Sequence, residues 1–149
     1  MYDAVTPKNI PGAPDGLVAC YVDGYFRNED EVGGRFPHAK LVRIAVSRES
    51  KANVLDVEKG DATADDAVVW ATTTMMGTPI DNLTIYCDES NWESVRLAFG
   101  DKGLRQPNYW IALYDNSREL LTGAVAKQFS SNAYYDTSIV CDHWPGVDA

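Results

Sequence analysis

Seven short apolar runs punctuate the chain: LVACYVDG (17–24), AKLVRIAVS (39–47), NVLDVE (53–58), NLTIYCDES (82–90), YWIALYD (109–115), AVAKQFSS (124–131) and YDTSIVC (135–141). Most are rich in Val, Ile, Tyr and Ala, and their apolarity is continuous rather than strictly alternating. That pattern belongs to strands covered on both sides, as in a parallel sheet. Two intervening stretches carry helix caps. In TADDAVVWATTTMMG, Thr63 and Asp66 stand at capping-box spacing and Gly77 marks the stop. In SNWESVRLAFG, Ser90 and Glu93 repeat the box and Gly100 ends it. A shorter helix is expected from Asn28 in NEDEV, before a break at Gly33-Gly34. Residues 1–16, MYDAVTPKNIPGAPDG, read as an extended lead-in punctuated by Pro and Gly.

The order is largely strand, helix, strand, which predicts right-handed βαβ units and a mainly parallel sheet. Two connections do not fit a full repeat. Only residues 48–52 separate the second run from the third, where a parallel crossover normally takes about a dozen residues. Residues 116–123 are also too few for a complete helix. A complete eightfold β/α barrel takes about 250 residues, and this chain has 149. The expectation is one domain over 1–149, α/β in class, folded as a reduced or irregular (β/α) TIM-like barrel with fewer than eight full β/α units.

Composition narrows the partners. A hydrophobic content of 45% supports a packed core. Asp and Glu number 22 against 13 Lys and Arg, a formal charge of −9. That surface repels phosphate backbones, and no basic stripe overrides it, so nucleic acid is not expected as a partner. No apolar run reaches the roughly 18 residues of a membrane span, and the N-terminus lacks the basic and apolar regions of a secretory signal. Cys20, Cys87 and Cys141 are far apart and form no C-x-x-C pair, which argues for buried free thiols over a zinc site or disulfide framework. No metal and no other cofactor is expected.

The chemistry concentrates at strand ends. Asp23, Asp56, Glu58, Asp88 and Asp115 close predicted strands, and Asp136 lies in the last. Asp56 and Glu58 are spaced i, i+2, so they point the same way, with Leu55 and Val57 on the other side. In parallel α/β folds the carboxyl ends of the strands share one rim, where sites form. Converging carboxylates suit glycoside hydrolysis, which needs one protonated acid for the leaving oxygen and one ionised group to stabilise positive charge. Crowding them holds a proton on one to higher pH.

These motifs, in order over residues 17–141, resemble the family 25 glycoside hydrolases, the lysozyme type common in phage endolysins. The matching segments are YVDGYF, VLDVEKGD, IYCDES, YWIALYD, AKQFSS and YYDTSIV. With RFPHAKLVRI and DHWPGVD, the pattern is most similar to a compact subgroup of actinobacteria and their phages. The resemblance implies a muramidase that hydrolyses the β-1,4 bond after N-acetylmuramic acid, acting on peptidoglycan glycan strands alone or beside phage or wall-binding domains. It implies Glu58 as general acid and Asp56 as the residue that orients the substrate N-acetyl group. Asp23 and Asp136 would position and polarise. Trp110 and Tyr114, flanking Ala112 on one strand face, would stack a sugar, and Tyr86 and Gln128 would hydrogen-bond it. Two alternatives stay open: an inactive glycan-binding relative serving a virion or cell wall, and a carboxylate site for Mg²⁺ or Ca²⁺.

Overall fold

A computed structural model describes residues 1–148. Eight strands close into one barrel: β1 (Tyr2–Asp3), β2 (Leu17–Tyr21), β3 (Lys40–Ala45), β4 (Val54–Asp56), β5 (Thr84–Asp88), β6 (Asn108–Ala112), β7 (Ala126–Ser131) and β8 (Asp136–Val140). Strands β1 to β7 pair in parallel, each with the next, and β8 runs antiparallel to both β7 and β1. The described α-helices are α1 (Glu29–Arg35), α2 (Ala64–Val69) and α3 (Glu89–Asp101), with α2 prolonged by a π-helical turn over Trp70–Thr74. The fold is therefore an α/β barrel with far fewer than eight β/α units, as the sequence predicts. No described helix is long and apolar enough to cross a membrane.

Side-chain parity along the strands sorts the core into an inside and an outside. Leu17, Ala19, Val42, Ile44, Val54, Tyr86, Trp110 and Ala126 fill the lumen. Leu55, Val57, Ile85, Cys87 and Ile111 face outward and pack under α2 and α3 with Val68, Val95 and Phe99. Val18 and Cys20 pack outward against Val32 of α1. Both faces of most strands are thus covered, which is why the runs read as continuous. Cys20 and Cys87 are buried free thiols, while Cys141 is only half-buried.

Residues 1–16 are more than a lead-in. Tyr2 and Asp3 form β1, and Ser138 donates its backbone N–H to the Met1 carbonyl at 2.9 Å. Two residues are too short a strand to show periodicity, yet they close the barrel. Three local expectations also shift. Helix α1 runs through Gly33 and Gly34, because burying Val32 outweighs the helix cost of glycine. Asp88 rather than Ser90 caps α3, accepting from the Asn91 N–H at 2.8 Å, since β5 passes directly into the helix; Gly100 lies within its last turn. The short 46–53 connection still joins parallel strands. The missing crossover helix is replaced by the end of α2, where the Trp70 indole donates to the Ser50 carbonyl at 2.9 Å.

The tail DHWPGVD plugs the barrel at the end opposite the strand carboxyl termini. Trp144 is fully buried, donates its indole N–H to Thr84 Oγ1 at 2.8 Å and meets Trp110 edge-on at 5.7 Å. Gly146 lets the tail lie against the chain. Its φ is +79°, and a Cβ there would sit 2.1 Å from the Asn82 carbonyl oxygen. Replacing Trp144 by Ala should therefore cost about 3–5 kcal/mol of stability, measurable by urea denaturation. A loss below about 1 kcal/mol would show that the plug is dispensable.

Candidate active site

Above the apolar lumen the inward positions turn polar. Asp56 follows Val54 on the inner face of β4 and is 5% exposed, and Asp3 at the end of β1 is 2% exposed. Glu58 continues the inward parity just beyond β4 and is half-buried. Asp136 opens β8. Because β8 runs against its neighbours, its first residue lands on the rim where the parallel strands end, and it pairs in register with Asp3. The chain thus brings Asp3, Asp56, Glu58 and Asp136 to one end of the barrel.

Gln128 on β7 organises the floor beneath them. Its Oε1 accepts from the Tyr86 hydroxyl at 2.7 Å and the Tyr114 hydroxyl at 2.6 Å, which leaves its Nε2 to donate to Asp3 Oδ1 at 3.3 Å. Trp110 packs edge-on against Tyr86 at 4.9 Å and donates to Ser138 Oγ at 3.1 Å. Trp110 is 1% exposed, and Ala112 beside it is buried. The expected sugar-stacking gap on β6 therefore does not exist: closure turned that face into the lumen. Tyr86 and Gln128 are likewise buried, and of the four expected sugar contacts only Tyr114 is open to solvent.

Burial sets the protonation of the acids. It raises the Asp56 carboxyl to about 8, with the charges of Glu58, Asp61 and Asp3 adding to the effect. It raises Asp3 to about 7, with Asp136 adding and the Gln128 hydrogen bond opposing. Glu58 is also raised, by burial first and then by Asp61 and Asp88; burial raises Asp136 as well. Asp56 Oδ1 is buried without a hydrogen-bond partner. One oxygen from each of Asp56, Glu58 and Asp61 lies within 4.8 Å of the others.

The remaining strand-end acids go elsewhere. Asp23 lines the same cleft but spends its carboxylate on the backbone, accepting from Val46 N at 2.7 Å and Ser47 N at 3.2 Å. The first strand of the closed barrel ends on Asp3, so Asp3 takes the place that the sequence assigned to Asp23. Asp88 caps α3, and Asp115 pairs with the buried ammonium of Lys127 at 2.8 Å. Asp3 and Asp61 escape sequence reasoning. The only signal for Asp3 was an acid directly after an aromatic in YDAV, and for Asp61 its position in EKGD, one turn beyond the D-x-E pair.

Two clefts meet at Glu58. One, of about 260 Å³, is lined by Tyr21, Asp23, Tyr25, Phe26, Asp56 and Asp61 together with Glu58. The other, of about 270 Å³, runs from Glu58 past Lys59 to Asn91 and Ser94 at the start of α3. No family model matches the chain, and no curated protein matches it. Among solved structures it is similar to a muramidase from Acremonium alcalophilum, with 14% sequence identity and a TM-score of 0.49 over 86% of each chain. So slight a likeness has no bearing on chemistry, which the side chains must decide.

The raised carboxyls link stability to pH. Asp3 and Asp56 bind protons more tightly folded than unfolded. Their contribution is fully present below the unfolded value of 3.8 and is lost as pH rises through about 7 and about 8. Thermal unfolding should therefore show Tm falling between pH 5 and pH 9, and Asp56→Asn should flatten that slope. A slope unchanged in the variant would contradict the assignment.

Proposed function

We propose that this protein is a glycoside hydrolase of the muramidase type, which cleaves the β-1,4 bond after N-acetylmuramic acid with Glu58 as general acid. The observation that carries the reading is the placement of Glu58. It is a half-buried carboxyl with raised proton affinity beside a buried Asp56, and it lines both clefts, where a group protonating a bond between two sugars must stand. The motif order that resembles the family 25 enzymes supports the choice of bond. The same resemblance supports placing the protein among the lysins of actinobacteria and their phages. Its charge of −9 opposes adsorption to a polyanionic wall, so delivery falls to a partner module or local device.

The chemistry follows from which proton sits where. Glu58 gives its proton to the leaving oxygen as the glycosidic bond breaks. The substrate acetamido oxygen closes on the anomeric carbon, and its N–H turns acidic as positive charge spreads through the amide. With the one proton of the coupled pair on Glu58, Asp56 is ionised, and its free Oδ1 accepts the hydrogen bond from that N–H. Water then opens the ring intermediate, returning its proton to Glu58. Asp3 and Asp136 border the site at the barrel end, with Asp3 held in place by Gln128. The anomeric carbon is inverted twice, once by the acetamido oxygen and once by water. The product should keep its anomeric configuration.

A second reading has one observation in its favour. Asp56, Glu58 and Asp61 are clustered as a hard divalent cation would require, and Asp56 Oδ1 lacks a partner. Against it stands the raised proton affinity of all three carboxyls, since a cation needs them ionised together whereas the hydrolysis needs one of the pair protonated. Full activity in EDTA is expected; loss of activity with rescue by Mg²⁺ or Ca²⁺ would reverse the ranking.

Glu58→Gln should lower reducing-sugar release from purified peptidoglycan by about 10²–10⁴-fold while the protein stays folded. Full residual activity would end the assignment. Asp56 and Glu58 titrate as a coupled pair that must hold one proton. Removing the neighbouring charge with Asp61→Asn should therefore move the alkaline limb of the pH–rate profile to lower pH. An unmoved limb would remove Asp61 from the site.

A further inference from the structure

The loop after β2 carries two aromatic rings that the core does not use. Tyr25 is 96% exposed and Phe26 51%, their centroids 5.1 Å apart and their planes at 86°. Exposure of this kind usually marks a mobile tip, but this loop is tied at both ends. On one side the Asp23 carboxylate holds the backbone of Val46 and Ser47. On the other, buried Asn28 accepts from the Tyr21 N–H at 2.8 Å and donates to the Ala4 carbonyl at 2.9 Å. Gly24 makes the turn between them, with φ +75° and room for no Cβ, which would lie 2.6 Å from Val46 Cγ2. Two rings kept in water on an anchored turn, and lining the cleft that holds Asp56 and Glu58, ask for an occupant.

We propose that Tyr25 and Phe26 form a platform that receives an uncharged N-acetylhexosamine ring of the glycan, on the side of Glu58 away from Lys59. The reading of Glu58 as general acid underlies this orientation. A pyranose offers an apolar C–H face that stacks on an aromatic ring, while its hydroxyl and acetamido edges need polar partners, and this cleft supplies both. Charge selects between the two sugars of the strand. The acidic ring lies at the buried end of this cleft, where its acetamido group meets Asp56, and the uncharged ring linked to it reaches the exposed platform, where Asp23 and Asp61 repel a second anionic substituent. The cleft beyond Glu58, past Lys59, is left to the departing part of the strand. Asp23 thereby acts as a positioning residue for the platform. Rigid anchoring keeps the ordering cost of binding low.

The test uses chitotetraose, an uncharged β-1,4 oligomer of N-acetylglucosamine, titrated calorimetrically into the Glu58→Gln protein. Adding Tyr25→Ala and Phe26→Ala should weaken binding by about tenfold or more, equivalent to about 1.4 kcal/mol, with Tm unchanged because both rings are exposed. Tyr25→Trp should retain binding. In the active protein, Tyr25→Ala should raise KM for peptidoglycan and leave kcat nearly unchanged, the pattern of lost uniform binding. No chitotetraose binding by the Glu58→Gln protein, or an equal Kd with and without the two rings, overturns the platform. Full hydrolysis by Glu58→Gln would instead overturn the general-acid reading while leaving the platform titration to stand by itself.

Discussion

Closure of the sheet is the constraint on which the rest depends. A strand has two faces, and in a closed barrel one of them has no access to solvent except at the ends. Every second side chain must therefore enter the lumen. Over most of its height the lumen takes apolar residues, from Leu17 and Val42 to Trp110 and Ala126, with Trp144 sealing the lower end. At the upper end the same parity carries Asp3 and Asp56 inward. Their position is a consequence of register, and a one-residue slip in β4 would exchange Asp56 for Leu55.

Burial of these acids has an electrostatic consequence. A carboxylate in the lumen loses hydration, and the remedy is to keep its proton. Asp56 shows this most plainly, because its Oδ1 has no donor to repay ionisation. Gln128 gives Asp3 one hydrogen bond and is itself fixed by two phenols, so the floor is rigid where the carboxyls rest on it. Glu58 stands one step higher, half in solvent, where a proton can be both held and delivered. Along this gradient two nearly adjacent carboxyls, buried Asp56 and accessible Glu58, meet different environments.

The reduced size of the barrel is met by sharing cover between strands. The β3–β4 connection has no helix of its own, and the end of α2 shields it through Trp70. The β6–β7 connection is helix-free too, and there Asp115 and the Ser117 carbonyl solvate the buried Lys127 ammonium. Antiparallel β8 removes a further crossover, since a hairpin from β7 needs only a tight turn. That economy puts Asp136 on the rim with Asp3, Asp56 and Glu58 at the start of a strand rather than at its end.

By itself the sequence determined the long-wavelength features. All seven apolar runs became strands, Thr63 and Asp66 formed their capping box, and Leu55 and Val57 parted from Asp56 and Glu58 as parity requires. These are local properties, set by period, caps and breakers within a few residues. What the tertiary structure alone decided was everything that depends on which strands meet. The two-residue β1 has no period to detect, yet pairing with β2 and β8 made Asp3 the acid at the end of the first strand and left Asp23 to anchor a loop. The face shared by Trp110 and Tyr114 was legible, but not that closure would bury one and leave the other open. A side chain's face is written in its own strand; whether that face meets water is decided by residues of other strands, 28 positions away for Trp110 and Ser138 and 125 for Asp3 and Gln128.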